Sequence, residues 1–333
     1  WQVIKDGEEI REALNNVKAG ANTVIGSQAV AEEQADPILK GKRILVVGIG
    51  NSAADISVEL SSRSLQNQVT LSTRSSAWIV PKYTYGLPAD KYFVTSPHIP
   101  LKWQRWFLQK MQFMTGSNPE LYGLPKPNHK FFEAHPTQSV ELPLRLGSGD
   151  ITPKGNVARL DGETVHFEDG TSADFDAIVY ATGYNITFPF FDEDVISAPG
   201  NHIRLFKRMF LPDRRDTVFV GFAQATPTLF PFVEAQTRLL AAYAVGAYEP
   251  PSAAEMERII DADQEKFTGH VLDRPRHTQQ LDYFVYEHDL RAKEIPAGLA
   301  RARHNVNDAF GQSGLLAKFS ETQSRQRCVF GRL

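Results

Sequence analysis

Apolar positions along this chain follow two periods, and the switch between them marks the elements. Residues 43–47, Arg-Ile-Leu-Val-Val, form a continuous apolar run bounded by glycines, the pattern of a strand buried on both faces. Residues 52–62 continue at helical spacing, with Ala53, Ile56 and Leu60 on one face beside Val58. Residues 69–71 give a second short strand. Strand, glycine turn, helix and strand in that order predict the opening of a doubly wound α/β sheet.

Later in the chain, 157–160 and 164–167 flank Asp161-Gly162 and predict a hairpin. Asp169-Gly170 is a second turn, 176–180 an apolar strand and 217–222 a further strand. Residues 232–247 read as an apolar helix and 253–268 as an amphipathic one. The opening 40 residues are weakly patterned: a strand at 1–4, an Asp6-Gly7 turn, a short helix over 9–18 ending near Gly20, and a break at Asp36-Pro37. Beyond about residue 300 the chain turns polar and Arg-rich, which predicts a disordered tail. Residues 75–150 are long, irregular and rich in proline and aromatics. They hold one predicted helix near 101–115, where Trp103, Trp106, Phe107, Met111 and Met114 share helical spacing among Lys102, Arg105 and Lys110. Its apolar face is expected to pack on protein; the alternative is a helix lying in a membrane surface.

Composition narrows the class. With 42% hydrophobic and 23% charged residues, the 333-residue chain can bury a core of one large or two ordinary domains. A formal net charge of −3 argues against a nucleic-acid partner. The single cysteine, Cys328, rules out an internal disulfide and a CxxC redox pair, and points to a reducing, cytoplasmic setting. No apolar run approaches the roughly 20 residues of a membrane span. The scattered histidines, His129, His135 and His166 among them, suggest no metal site.

The chemistry concentrates after the first strand. In Gly48-Ile49-Gly50-Asn51-Ser52-Ala53, Gly48 permits a tight turn and Gly50 lets backbone approach a pyrophosphate. Ala53 stands where a third glycine is common and keeps the helix close to the sheet. The pyrophosphate would lie on free amides at the positive end of the helix. The second strand ends in Leu71-Ser72-Thr73-Arg74-Ser75-Ser76. It lacks the carboxylate that grips both ribose hydroxyls of NAD. Arg74, with hydroxyls from Thr73 or Ser75, suits the 2′-phosphate of NADP instead, and Lys82 adds charge. Asp55 either bonds the turn or is an ordinary first-turn acid.

Residues 48–55, GIGNSAAD, preceded by Lys40-Gly41-Lys42-Arg43, resemble the NADP motif of the flavin-containing monooxygenase family. Residues 71–82, LSTRSSAWIVPK, resemble the stretch after that family's second strand. Residues 176–184, DAIVYATGY, resemble its ATG motif. Residues 220–238, with Gly221, Gln224, Pro231, Glu234, Gln236 and Arg238, resemble the segment that reaches toward the flavin. The likeness runs over about 40–295, and the opening Trp1 and Asp6-Gly7 fit it too.

The resemblance implies a Rossmann-like NADP-binding domain inserted in a partial FAD-binding domain. On that basis 1–40 is a lead-in, 41–155 the NADP-binding domain with a helical insertion, 156–250 the returning FAD part, and 251–333 C-terminal helices and a polar tail. It also implies hydride transfer from NADPH to FAD, uptake of oxygen, and oxygenation of a small molecule at soft nitrogen or sulfur. Gly48, Gly50, Asn51, Ser52, Ala53, Thr73, Arg74 and Ser75 would then bind NADP. Thr182 and Gly183 would approach FAD, and Gln224 would face the flavin or nicotinamide.

Two family features are missing: the FAD glycine motif before residue 41, and F-x-G-x-x-x-H before the NADP motif. The first methionine is Met111. A fragment lacking its FAD front end is therefore expected, with its activity alone left open. The alternatives are a Baeyer–Villiger-type relative and a non-catalytic NADP-binding remnant. A short-chain dehydrogenase reading of Tyr122-x-x-x-Lys126 is weakened by Pro125.

Overall fold

The computed structural model describes residues 39–84, 86–88, 101–131, 133–226, 229–268 and 278–311. The strand expected at 1–4 and the helix expected over 9–18 lie outside them. The chain divides into two compact units between Thr187 and Phe188.

The first unit runs through β1 (Arg43–Val47), α1 (Asn51–Leu60), β2 (Gln68–Ser72), β3 (Ile79–Val80), a β4–β5 hairpin (Tyr83–Thr84 and Leu87–Pro88) and α2 (Leu101–Met114). It continues with β6 (Thr137–Gln138), α3 (Glu141–Gly147), β7 (Ile151–Lys154), β8 (Val157–Asp161), β9 (Thr164–Phe167), β10 (Ser172–Asp174) and β11 (Ala177–Tyr180). The main sheet is fully parallel, in the order β11-β1-β2-β7. That is the 3-2-1-4 arrangement of a dinucleotide-binding fold.

Both faces of β1 are buried, as its unbroken apolar run predicts. Ile44 and Val46 join Ala53, Ile56, Leu60, Leu142 and Leu146 under the helices. Leu45 points the other way, to Val165, Phe167 and Phe175. On that second face an antiparallel meander, β10-β9-β8, stands where a helix would lie in a sheet clad by helices on both sides. The predicted hairpin is thus present and covers the sheet. Strand β7 carried no sequence expectation because it is four residues long and contains Pro153. Proline is tolerated there because β7 is an edge strand. The 101–115 helix is present, but of its aromatic face only Met111 is buried; Trp103, Trp106, Phe107 and Met114 are exposed.

The second unit holds β12 (Gln224–Thr226), α4 (Phe230–Ala244), α5 (Ala253–Thr268), β13 (Gln280–Asp282), α6 (Tyr283–Asp289) and α7 (Ile295–Gly311). β12 and β13 pair in parallel. The strand expected at 217–222 does not form. Only Val218 bridges, to Phe210, and Gly221 turns left-handed at φ 74° with its N–H donated to Gln236 Oε1 (2.8 Å). The strand begins three residues after that glycine.

The tail expected to be disordered from about 300 is helical as far as Gly311, and its remainder, 312–333, lies outside the described residues. A π-helical turn, Leu290–Glu294, joins α6 to α7. Its cause is readable in the burial pattern. Tyr286 and Leu290 are four residues apart, whereas Leu290 and Ile295 are five apart, and all three are buried in one core. A wider turn keeps the apolar stripe facing inward across that slip.

This core also encloses charge. Residues 206–209 form a tight turn in which Lys207 (φ 49°) and Arg208 (φ 56°) are both left-handed, closed by Met209 N–H to Phe206 O (3.0 Å). Such non-glycine positions cost about 1–2 kcal/mol each. The surroundings enforce them. Tyr286 Oη donates to Lys207 O (2.9 Å), Gln236 Nε2 donates to Arg208 O (3.2 Å), and Lys207 Nζ reaches Asp263 and Asp289 at 2.7 Å each. Burial alone would lower the Lys207 pKa, but the two carboxylates outweigh it and raise it.

Candidate functional site

In an open parallel sheet, a crevice opens at the carboxyl ends of the strands where the order reverses. Here that point lies between β1 and β11. Val47 is in register with Tyr180 on one side and Ser72 on the other, so three loops leave the sheet at one level. They carry 48–53, 73–75 and 181–183.

Gly48 sits at φ 135°, where a Cβ would overlap the carbonyl oxygen of Ala181 and lie 2.9 Å from its carbon. Its N–H donates to Ser72 O (2.9 Å), while Ala181 N–H donates to Val47 O (2.9 Å). No side chain fits between those two loops. Gly50 is different: its φ of −70° is open to any residue, and a Cβ there would meet nothing within 4 Å. Packing among the described residues does not call for glycine at that position.

Gly50 also begins α1 without a side-chain cap, and no acidic residue lies in the first turn. The first helical bond is Ala54 N–H to Gly50 O (3.0 Å), so the donors ahead of it are not used by the helix. Ala53 is fully buried, Ser52 half-buried and Asn51 exposed. Asp55 is exposed on the same helix.

At the end of β2, Thr73 is buried. Its hydroxyl donates to Ser75 O (3.0 Å) and its N–H to Lys154 O (3.1 Å). It therefore shapes the loop, with its proton committed to backbone. Ser75 is half-buried. Arg74 is exposed and has no ion-pair partner among the described residues. The neighbouring cation, Lys154, is tied to Asp169 and Thr171 (3.1 and 2.7 Å). Hydrogen bonds from the Thr171 hydroxyl and amide, then from Lys154, pull the Asp169 carboxyl down to about 2.

Thr182 and Gly183 are exposed just past β11, and Gly183 is left-handed at φ 111° with open space around it. Gln224 is exposed in the second unit, where its N–H donates to Gln279 O (2.8 Å). In the same segment Gln236 is wholly buried and bridges the Gly221 and Arg208 backbones, so it holds the fold rather than facing outward. Pro231 lies in the first turn of α4, and Glu234 pairs with Arg238 on its exposed side.

The sequence reading missed Thr137 and Gln138. Thr137 donates its hydroxyl to Ile49 O inside the glycine turn, and Gln138 N–H donates to Asn51 Oδ1 (2.8 Å). Both come from the stretch that reads as irregular, and no local pattern announces them. Tyr122 and Lys126 share no helix: a 3-10 turn, Pro119–Tyr122, ends at left-handed Gly123. That removes the geometry a short-chain dehydrogenase needs. Among the described residues, no helix is long and apolar enough to cross a membrane.

A family model described as flavin-binding monooxygenase-like matches residues 17–298. Flavin-containing monooxygenase 5 of Homo sapiens is 36% identical over 254 residues, covering 73% of this chain and 46% of that protein. Dimethylaniline monooxygenase (N-oxide-forming) 2 of Oryctolagus cuniculus is 36% identical over 261 residues, covering 74% of this chain and 48% of its own length. The chain thus spans about half the length of the curated relatives it matches. Among solved structures, S-allyl-L-cysteine S-oxygenase from Allium sativum is similar at 16% identity and a TM-score of 0.46, over 89% of this chain and 56% of that one.

Proposed function

The chain belongs to the flavin-binding monooxygenase-like family, and from that premise we propose that it binds NADPH in the β1–β11 crevice. We further propose that it serves an NADPH- and FAD-dependent monooxygenase acting with oxygen on soft nitrogen or sulfur of small molecules. One observation carries the nucleotide reading: Gly50 is glycine with no neighbour among the described residues to require it, directly before an uncapped helix N-terminus. A backbone stripped of Cβ beside unused N–H donors fits a pyrophosphate approaching from outside.

In this reading Gly48 sets the turn, and Gly50, Asn51, Ser52 and Ala53 present the first turn of α1 to the phosphates. Arg74 takes the 2′-phosphate as a bidentate, charge-assisted pair, free of any competing internal carboxylate among the described residues. Ser75 adds a hydroxyl at the same loop. Thr73 contributes by holding Ser75 in place.

Thr182 and Gly183 would lie against FAD, where an open left-handed glycine permits close approach, and Gln224 would face the flavin or nicotinamide. Bound flavin supplies the redox and oxygen chemistry. The chain's own residues bind, orient and exclude water around it. A cytoplasmic setting accords with the single cysteine.

The test is to purify the chain, add FAD and follow NADPH oxidation and oxygen uptake with N,N-dimethylaniline. Retained flavin with NADPH-dependent oxygen uptake and N-oxide formation supports the full reading. NADPH binding without flavin retention limits this chain to the pyridine-nucleotide part of the activity. Binding of neither cofactor defeats the reading.

A further inference from the structure

Strand β6 touches the glycine turn twice although it comes from a part of the chain without any nucleotide signature. Its own position is rigid: Thr137 N–H donates to Trp78 O (2.8 Å) and Ser139 N–H to Val80 O (3.1 Å), locking it to β3. The buried Thr137 hydroxyl then donates to Ile49 O. One residue on, Gln138 N–H holds the Asn51 side chain at 2.8 Å.

Planarity gives this bond a consequence. Across a trans peptide, the carbonyl of Ile49 and the N–H of Gly50 point in opposite directions. Fixing the carbonyl on Thr137 fixes the Gly50 donor on the side away from β6. Gly50, on the far side of that peptide, leaves it freer to rotate than an ordinary residue would when nothing holds it. A rotated peptide would offer the Ile49 oxygen, not the Gly50 N–H, to an incoming anion.

We infer that Thr137 is a positioning residue for the dinucleotide pyrophosphate, acting through the Ile49–Gly50 peptide and without touching the ligand. This rests on the NADPH reading above. The hydroxyl matters and the methyl does not, so serine should replace threonine and valine should not.

The experiment titrates the full chain with two probes, NADPH and adenosine 2′-monophosphate, which carries the 2′-phosphate but no pyrophosphate. Thr137→Val is expected to weaken NADPH binding roughly tenfold, as for a lost hydrogen bond to a charged group, and to leave adenosine 2′-monophosphate unaffected. Thr137→Ser should bind both probes as the unchanged chain does, and Arg74→Ala should weaken both. Thr137→Ala is read in the same way should valine at this position not fold. Undiminished NADPH binding by the valine or alanine variant overturns the inference. So does an equal loss for both probes, which would mark Thr137 as merely structural. Failure of the unchanged chain to bind either probe would instead remove the NADPH reading itself.

Discussion

The two units solve the same packing problem by opposite means. In the first, the core under the parallel sheet is apolar, and among its described residues no carboxylate is buried. The site we propose lies at the ends of strands, where glycines and backbone donors that are free among the described residues cost the core nothing. In the second, Lys207, Asp289, Gln236, Tyr286 and Glu294 are buried within the structure. There the arrangement depends on a left-handed Lys207-Arg208 turn that polar partners hold in place. Buried ions cost desolvation, so the second unit gains specificity of arrangement at the expense of tolerance. A fold written in periodicity tolerates charge changes; a fold written in a polar network tolerates few.

The sharpest test of that contrast is Lys207→Met. It leaves Asp263 without its cation and should destabilise the second unit by about 3–5 kcal/mol. All four tryptophans, Trp1, Trp78, Trp103 and Trp106, precede the boundary at Thr187. Denaturation followed by tryptophan emission should therefore stay near that of the unchanged chain while the far-UV circular dichroism melt splits. A tryptophan transition that falls in step would show that the units unfold as one.

Next in size is Gly48→Ala, which meets both a positive φ and the Ala181 carbonyl. About 2–4 kcal/mol is expected, seen now in the tryptophan transition. An unchanged midpoint would mean the β1–β11 loops are not in the contact described.

Acid gives a smaller and graded effect. Burial alone would raise the Asp289 carboxyl, but hydrogen bonds from Lys207 and Lys266 hold it below its ordinary value. A depressed carboxyl contributes stability that is fully present above its unfolded pKa and is lost as pH falls through the folded one. The contribution of Asp289 to the second unit should thus be lost as pH falls below about 4. An Asp289→Asn variant whose second unit loses as much stability on acidification as the unchanged chain would break this assignment.

The smallest effect on stability belongs to Arg74→Ala, within about 0.5 kcal/mol for an exposed side chain with no ion-pair partner among the described residues. NADPH affinity should nonetheless fall by about tenfold with the charge-assisted contact gone, and NADH affinity should not move. Parallel losses for both nucleotides would remove Arg74 from the 2′-phosphate.

What could be read from the sequence follows the same division. β1, α1, β2 and the 157–167 hairpin announce themselves because burial there is periodic and the turns carry glycine. The loops at Gly48, Arg74 and Thr182 follow from the strands they end. The apolar run predicts the strand too early, at 217–222 rather than 224–226, because Gly221 interrupts it, and only Gln236, fifteen residues on, explains how. The helix to Gly311 hides behind arginines, and its stripe slips by one residue at the π turn. Thr137 has no local signal at all, since its role exists only once β6 lies beside the turn.

That last contact also sets an order in time. The bond from Thr137 to Ile49 spans 88 residues of sequence, and Asp176 beside β11 reaches Arg43 across 133. Contacts so distant along the chain are slow to form. The local strand–turn–helix over 43–60 can collapse early, yet its crevice gains both walls only when the final strand docks. Nucleotide affinity during refolding should consequently appear with the slowest phase of the first unit, so that ligand capture acts as a clock for the completed sheet.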